Sequence, residues 1–92
     1  MLQVKWRASA LSDAELIVTY TKDCWGQEKA DVIIRLFAES AALLSRMPRL
    51  GRPLKDREVF ALILQKVPFV FIYHIETEHV VIDQVLHTRR RR

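Results

Sequence analysis

Arg57-Glu58-Val59-Phe60-Ala61-Leu62-Ile63-Leu64, Pro68-Phe69-Val70-Phe71-Ile72-Tyr73 and Val80-Val81-Ile82-Asp83-Gln84-Val85-Leu86-His87 are three short runs within residues 57–87. Each is rich in Val, Ile, Leu or Phe, and polar breaks separate them, the pattern of strands joined by short connections. Gln65-Lys66-Val67 has no Gly or Asn, so a tight primed turn is not expected there, whereas Glu76-Thr77-Glu78 reads plainly as a turn. A strand with one wet face alternates apolar and polar residues. These runs barely alternate, so the antiparallel meander they predict is apolar on both faces.

Upstream, Pro48-Arg49-Leu50-Gly51-Arg52-Pro53 excludes both helix and central strand. Before it, Ala30, Ile33, Ile34, Phe37, Ala41 and Leu44 recur at spacings of three and four, which predicts a helix over 27–46. Glu28 and Asp31 near its start and Arg46 at its end complement the helix dipole. Asp31 and Arg35 have the spacing of an i,i+4 ion pair, worth ~0.3 kcal/mol. Gly26 can adopt positive φ and ends an earlier helix near Cys24. The stripe of that helix is Leu11, Ala14, Ile17, Val18 and Thr21, and Ser9 or Ser12 is its expected cap. The short link at Gly26 makes the two helices an antiparallel hairpin. Leu2-Gln3-Val4-Lys5-Trp6 alternates as a half-buried strand does. The expected fold is therefore α+β: a strand, a helical hairpin, then a three-stranded antiparallel meander.

Ninety-two residues make a single domain over 1–92, followed within it by a basic tail at 88–92. The net charge of +4 is uneven. Residues 1–45 carry five basic and six acidic side chains, and residues 46–92 carry ten basic and five acidic. This polarity predicts an acidic partner, protein or nucleic acid. A single cysteine, Cys24, excludes an intramolecular disulfide and suits a reducing, cytoplasmic setting. No apolar run approaches the length of a membrane span, and no secretion signal is apparent, so no membrane partner is expected. Two helices cover one sheet face only. An apolar second face calls for another cover, for which a partner protein is the simplest candidate. The competing expectation is a sheet that curls and closes that face itself.

Val4-Lys5-Trp6, Ala10 with Asp13-Ala14-Glu15-Leu16-Ile17, the loop from Pro48 to Pro53 followed by Arg57, Phe69-Val70-Phe71-Ile72-Tyr73 and the ending Val85-Leu86-His87-Thr88-Arg89-Arg90 follow one another in order. Together they resemble the ParE branch of the RelE/ParE superfamily, the toxins of bacterial toxin–antitoxin pairs, almost end to end. The resemblance implies a small α+β toxin held inactive by a ParD-like antitoxin. Antitoxins of this kind lay a helical and then extended segment along the toxin's helices and sheet. On this reading Phe60, Leu62, Phe69, Phe71 and Tyr73 are expected to receive the antitoxin. Operator DNA would be contacted only through the antitoxin.

Within the superfamily, RelE-like members cut messenger RNA. Cleavage by 2′-hydroxyl attack needs a proton acceptor, positive charge on the phosphate and a proton donor for the leaving oxygen. The corresponding positions here are about Ala61, Ile63 and Val70, whose side chains supply none of these. Only Arg89 or Arg90 has a counterpart, and no Tyr follows His87. No catalytic residue is therefore assigned. Other ParE-like members inhibit DNA gyrase by binding, and this is the implied function. Arg52, Arg57, His87, Arg89 and Arg90 are the expected target contacts. A ribosome-dependent ribonuclease and a basic nucleic-acid-binding module are the rivals. His74, His79, Asp83 and His87 lack the ligand spacing of a metal site, and no cofactor or metal is expected.

Overall fold

The helical hairpin and the meander are both present in the computed structural model, which describes residues 1–54 and 58–90. The roles expected of Arg57 and of residues 91–92 lie outside the described residues, as does the Arg90 side chain. In chain order the elements are β1 (Gln3–Trp6), α1 (Ala8–Trp25), α2 (Gln27–Arg46), β2 (Arg52–Pro53), β3 (Val59–Ile63), β4 (Phe69–Glu76) and β5 (His79–His87), followed by a 3₁₀ turn at Thr88–Arg90. The sheet order is β1-β5-β4-β3-β2. β1 runs parallel to β5, and the other neighbours are antiparallel. The sheet thus has one strand more than expected. Arg52 and Pro53 pair with Ala61 and Phe60 along the outer edge of β3. Proline lacks the N–H that a central strand needs but is tolerated at an edge.

Alternation along the meander is real but is written in side-chain size rather than polarity. Phe60, Phe69, Phe71, Tyr73, Val80, Ile82 and Val85 face the helices and form one buried cluster with Ala10, Ile33, Phe37, Ala41 and Leu44. Phe37 packs edge-on against Phe69 and Phe71, with centroids 5.8 and 5.5 Å apart, and Trp6 does the same to Phe71 at 5.4 Å. Ala61, Ile63, Val70, Ile72 and Val81 occupy the intervening positions and face away from the helices. Ala61, Val70 and Val81 are buried although they stand outside the helix-side cluster, whereas Ile63 is 48% exposed. The far face is thus apolar only in part: Ala61, Val70 and Val81 are shielded there, whereas His74, Glu76 and Asp83 make the rest of it polar, contrary to a meander apolar on both faces. A bulge at Ile72/Tyr73 adds local twist where β4 meets β5.

Gly26, with φ 96°, separates the helices: its N–H closes α1 on the Lys22 carbonyl and its carbonyl receives the Ala30 N–H. Five of the six positions of the expected α2 stripe, Ala30, Ile33, Phe37, Ala41 and Leu44, are buried, whereas Ile34 is exposed. In α1 only Ala10 is fully buried, and Leu11 is exposed. Two local expectations are corrected. Neither Ser9 nor Ser12 caps α1, because the helix begins at Ala8 with Arg7 as an extended cap residue whose side chain makes no capping bond. Asp31 accepts a bond from Gln27 at 2.8 Å, and Arg35 pairs with Glu39 at 3.6 Å, in place of an Asp31–Arg35 pair.

Tyr73 locks the loop before β2 onto the sheet. Its hydroxyl donates to the Pro48 carbonyl at 2.7 Å and accepts the Gly51 N–H at 2.9 Å. Burial pushes this phenol up from its ordinary value, an effect partly offset by the Gly51 N–H. Phe60 stacks on the Tyr73 ring at 5.3 Å, and the Arg49 guanidinium lies 5.8 Å from the Phe60 centroid. Tyr73→Phe leaves both backbone groups without their partner and should cost about 1–3 kcal/mol in chemical denaturation. Unchanged stability would show that water satisfies them equally well.

Candidate functional site

Helix α1 continues past the sheet edge to which it is fastened. The Ser9 hydroxyl donates to the Asp83 carbonyl at 2.8 Å, and an Asp13 carboxylate oxygen accepts the Val85 N–H at 3.0 Å. These two side chains close the edge of β5 beyond the reach of β1, an edge that would otherwise present free backbone groups. Farther along, α1 turns Leu16, Tyr20 and Trp25 to solvent, 70%, 67% and 68% exposed. An open groove of about 980 Å³ lies between this part of α1, the start of α2, the 66–69 connection and the end of β5. Leu16, Ile17, Tyr20, Trp25, Val32 and Val67 give it apolar walls. Lys29, Lys66 and His87 stand along it, and among the described residues Asp13 is its one acidic lining residue. With the Asp13 carboxylate engaged by Val85, the groove is apolar with a basic margin.

His87 sits at the end of this groove. Its ring meets Phe69 edge-on at 5.3 Å and 81°, and its Nδ1 accepts the Arg89 N–H at 3.0 Å. The Thr88 N–H donates to the Pro68 carbonyl at 2.9 Å. The 3₁₀ turn therefore starts from a fixed root, and the Arg89 side chain is exposed. Arg52 is exposed on the opposite edge of the sheet, paired with Ala61. Three strand spacings, roughly 14 Å, separate β2 from β5, so Arg52 and His87 do not form one constellation.

The five residues expected to receive the antitoxin are placed differently. Phe60, Phe69, Phe71 and Tyr73 are buried against the helices, and Leu62 packs partly buried on the same cluster. Their side chains build the core, so only the rim of Phe69 reaches the groove. Apart from Met1, the most exposed large apolar residues among those described, Leu16, Tyr20 and Trp25, are on α1 instead. Sequence reading passed over Leu16 and Tyr20, although their i,i+4 spacing places them on one helical face.

On the other sheet face, His74 Nδ1 lies 2.7 Å from Asp83 Oδ2 and His74 Nε2 lies 3.1 Å from Glu76 Oε2. Arg7 Nε is 2.9 Å from Asp83 Oδ1, a contact that is ionic because its N–H is not aimed along a hydrogen-bond axis. Both ring nitrogens of His74 are thus engaged by carboxylates. The Asp83 bond, opposed by partial burial and aided by Glu76, raises the His74 pKa above its ordinary 6.5. Its bond to His74 lowers that of Glu76. The His74 contribution to stability is fully present below pH 6.5 and is lost as pH rises through the raised value. The melting temperature should fall over that interval, and His74→Ala should flatten the profile there. An unaltered pH profile in the variant would remove His74 from this account.

Among the described residues no group of three His, Cys, Asp or Glu side chains is arranged to hold a metal ion, and no helix is long and apolar enough to cross a membrane.

A family model described as the ParE toxin of the type II toxin–antitoxin system, parDE, matches residues 4–92. The chain belongs to that toxin family. Comparison with curated protein sequences finds no match. Among solved structures, the fold is similar to a chain of the chromosomal ParDE system from P. aeruginosa, with a TM-score of 0.84 and 24% identity over 95% of this chain and 96% of that one. It is also similar to a chain of the RelBE2 toxin–antitoxin complex from Mycobacterium tuberculosis, at 0.66 and 23% over 94% and 96%. A chain of the E. coli RelBE complex aligns at 0.63 and 11% over 92% and 94%. The five-stranded mixed sheet and two helices are thus the α+β fold shared by ParE and RelE toxins.

Proposed function

We propose that this ParE-family toxin arrests growth by binding DNA gyrase in the cytoplasm, and that a ParD-like antitoxin neutralises it by lying in the groove beside α1. The observation that carries the first half is the character of the far sheet face. Ile63 and Val70 are direct cross-strand partners there, and Ala61 pairs with Ile72. Ala61, Ile63 and Val70 stand at about the positions from which RNA-cleaving relatives in the superfamily supply catalytic side chains. Hydrocarbon side chains can neither move a proton nor stabilise a phosphate charge. A toxin with this surface acts by occupying its target, and Arg52 and Arg89 offer exposed cations for that contact.

The second half rests on the groove. Leu16, Tyr20 and Trp25 are exposed apolar residues that line the groove together with Lys29, Lys66 and His87. An amphipathic segment lays its apolar side into such a groove, and acidic residues on it would meet the basic margin.

The test is to induce the chain alone in bacteria and assay gyrase supercoiling and messenger integrity side by side. Loss of supercoiling with intact messenger is the expected result. Cut messenger with normal supercoiling would replace this reading with a ribonuclease. Salt-sensitive nucleic-acid binding with neither effect would point to a basic binding module.

A further inference from the structure

We infer that His87 is a positioning residue that fixes the basic turn at the mouth of the groove, so that a segment seated in the groove covers the cation that the target must reach. The inference rests on the antitoxin and target reading above and adds the means by which one excludes the other.

Three contacts carry it. The Thr88 N–H is held by the Pro68 carbonyl, and the Arg89 N–H by His87 Nδ1, so two successive amides of the turn are tied at its root. The imidazole is in turn held edge-on against Phe69, which limits its rotation. Pro68, Phe69 and His87 are all lining residues of the groove. The surface that steers Arg89 is therefore the end wall of the groove. A partner segment that fills the groove to this wall lies against the root of the turn.

The chemistry of the bond constrains the ring. An Nδ1 that accepts a backbone N–H carries no proton, so His87 is the neutral tautomer with its proton on Nε2. That leaves Nε2–H as a donor at the end of a groove that Lys66 also lines. The partner chemistry that fits is a carboxylate at the end of an apolar segment. It would accept from Nε2–H, and its charge would complement the basic turn that His87 holds. The target then loses access to Arg89 without any rearrangement of the toxin.

The experiment uses the full chain, alone and bound to the co-expressed product of the reading frame beside its gene. His87→Ala removes the acceptor, while His87→Asn replaces it with a side-chain carbonyl at similar reach. In the free chain, His87→Ala should speed exchange of the Arg89 amide by about tenfold and raise the concentration needed to inhibit supercoiling by a similar factor. His87→Asn should restore both, and both variants should melt with the parent chain. Inhibition by His87→Ala equal to that of the parent, or failure of His87→Asn to restore it, would overturn the role of His87. In the complex, exchange at the Arg89 amide should slow together with that of amides near Trp25. Protection near Trp25 with none at Arg89 would overturn the shared surface and leave the antitoxin site standing. Protection at neither place would remove both.

Discussion

Phe71→Ala should destabilise the domain more than any other single truncation of its core. Phe71 has no exposed surface, and it receives the edges of both Trp6 and Phe37. It therefore joins β1, α2 and the central strand β4 in one contact. Removing a buried phenyl ring costs about 3–5 kcal/mol, the sum of lost transfer energy and the cavity left behind. In a domain of this size that corresponds to a fall of roughly 15–30 °C in melting temperature. With native stabilities of only about 5–15 kcal/mol, the variant should be partly unfolded at growth temperature. A loss below about 1 kcal/mol would mean that the three elements collapse into the space and that packing here is looser than the geometry indicates.

How much of this was legible in the sequence differs from element to element. The Val, Ile and Phe runs of the meander specify strands because their composition and length suit nothing else in a chain this short. The α2 periodicity was equally plain, since Ala30, Ile33, Phe37, Ala41 and Leu44 all face one sheet. Ser9 misled because its hydroxyl serves the Asp83 carbonyl, 74 residues away, and capping rules consider local partners only. Asp13 likewise closes the β5 edge through a long-range bond that no spacing announces. Strand β2 is not legible because two residues carry no periodicity; Pro53 excludes only a central strand, and β2 lies at the sheet edge.

The site was less legible than the fold, for a related reason. Phe60, Phe69, Phe71 and Tyr73 read as surplus apolar surface when both faces of the meander appeared hydrophobic. Their alternation with Ala61, Val70 and Ile72 sends the larger side chains to the core and the smaller ones to the far face. The most exposed large apolar residues of the groove lie on α1, where Leu16, Tyr20 and Trp25 cannot be told from core residues without knowing which side of the helix meets the sheet. Arg52 and His87, both expected as target contacts, are exposed and half-buried respectively, and only strand order shows that the width of the sheet separates them.

The second large effect concerns recognition. Interfaces draw most of their affinity from a few aromatic and aliphatic anchors in well-packed pockets. Leu16 and Trp25 are such anchors if the groove beside α1 is the antitoxin site. Both are exposed in the isolated chain, so truncating them should leave the fold intact. Loss of both should weaken the complex by about 2–4 kcal/mol, a factor of roughly 30–1,000 in Kd.

The helical hairpin offers an internal control. A second apolar hollow, lined by Trp6, Leu11, Val18, Ile34 and Phe37, lies on its other side, and Leu11 and Ile34 are each 48% exposed. Among the described residues its charged lining residue is Glu15, and none is basic. Charge therefore favours the first groove for an acidic amphipathic segment, while apolar character alone does not choose between them.

The most direct test is a calorimetric comparison of two double variants titrated with the co-expressed antitoxin. Leu16→Ala/Trp25→Ala should lose at least about 30-fold in affinity while Leu11→Ala/Ile34→Ala stays within about threefold of the parent chain. The opposite ranking, or undiminished affinity in both, would contradict the placement of the antitoxin in the groove beside α1.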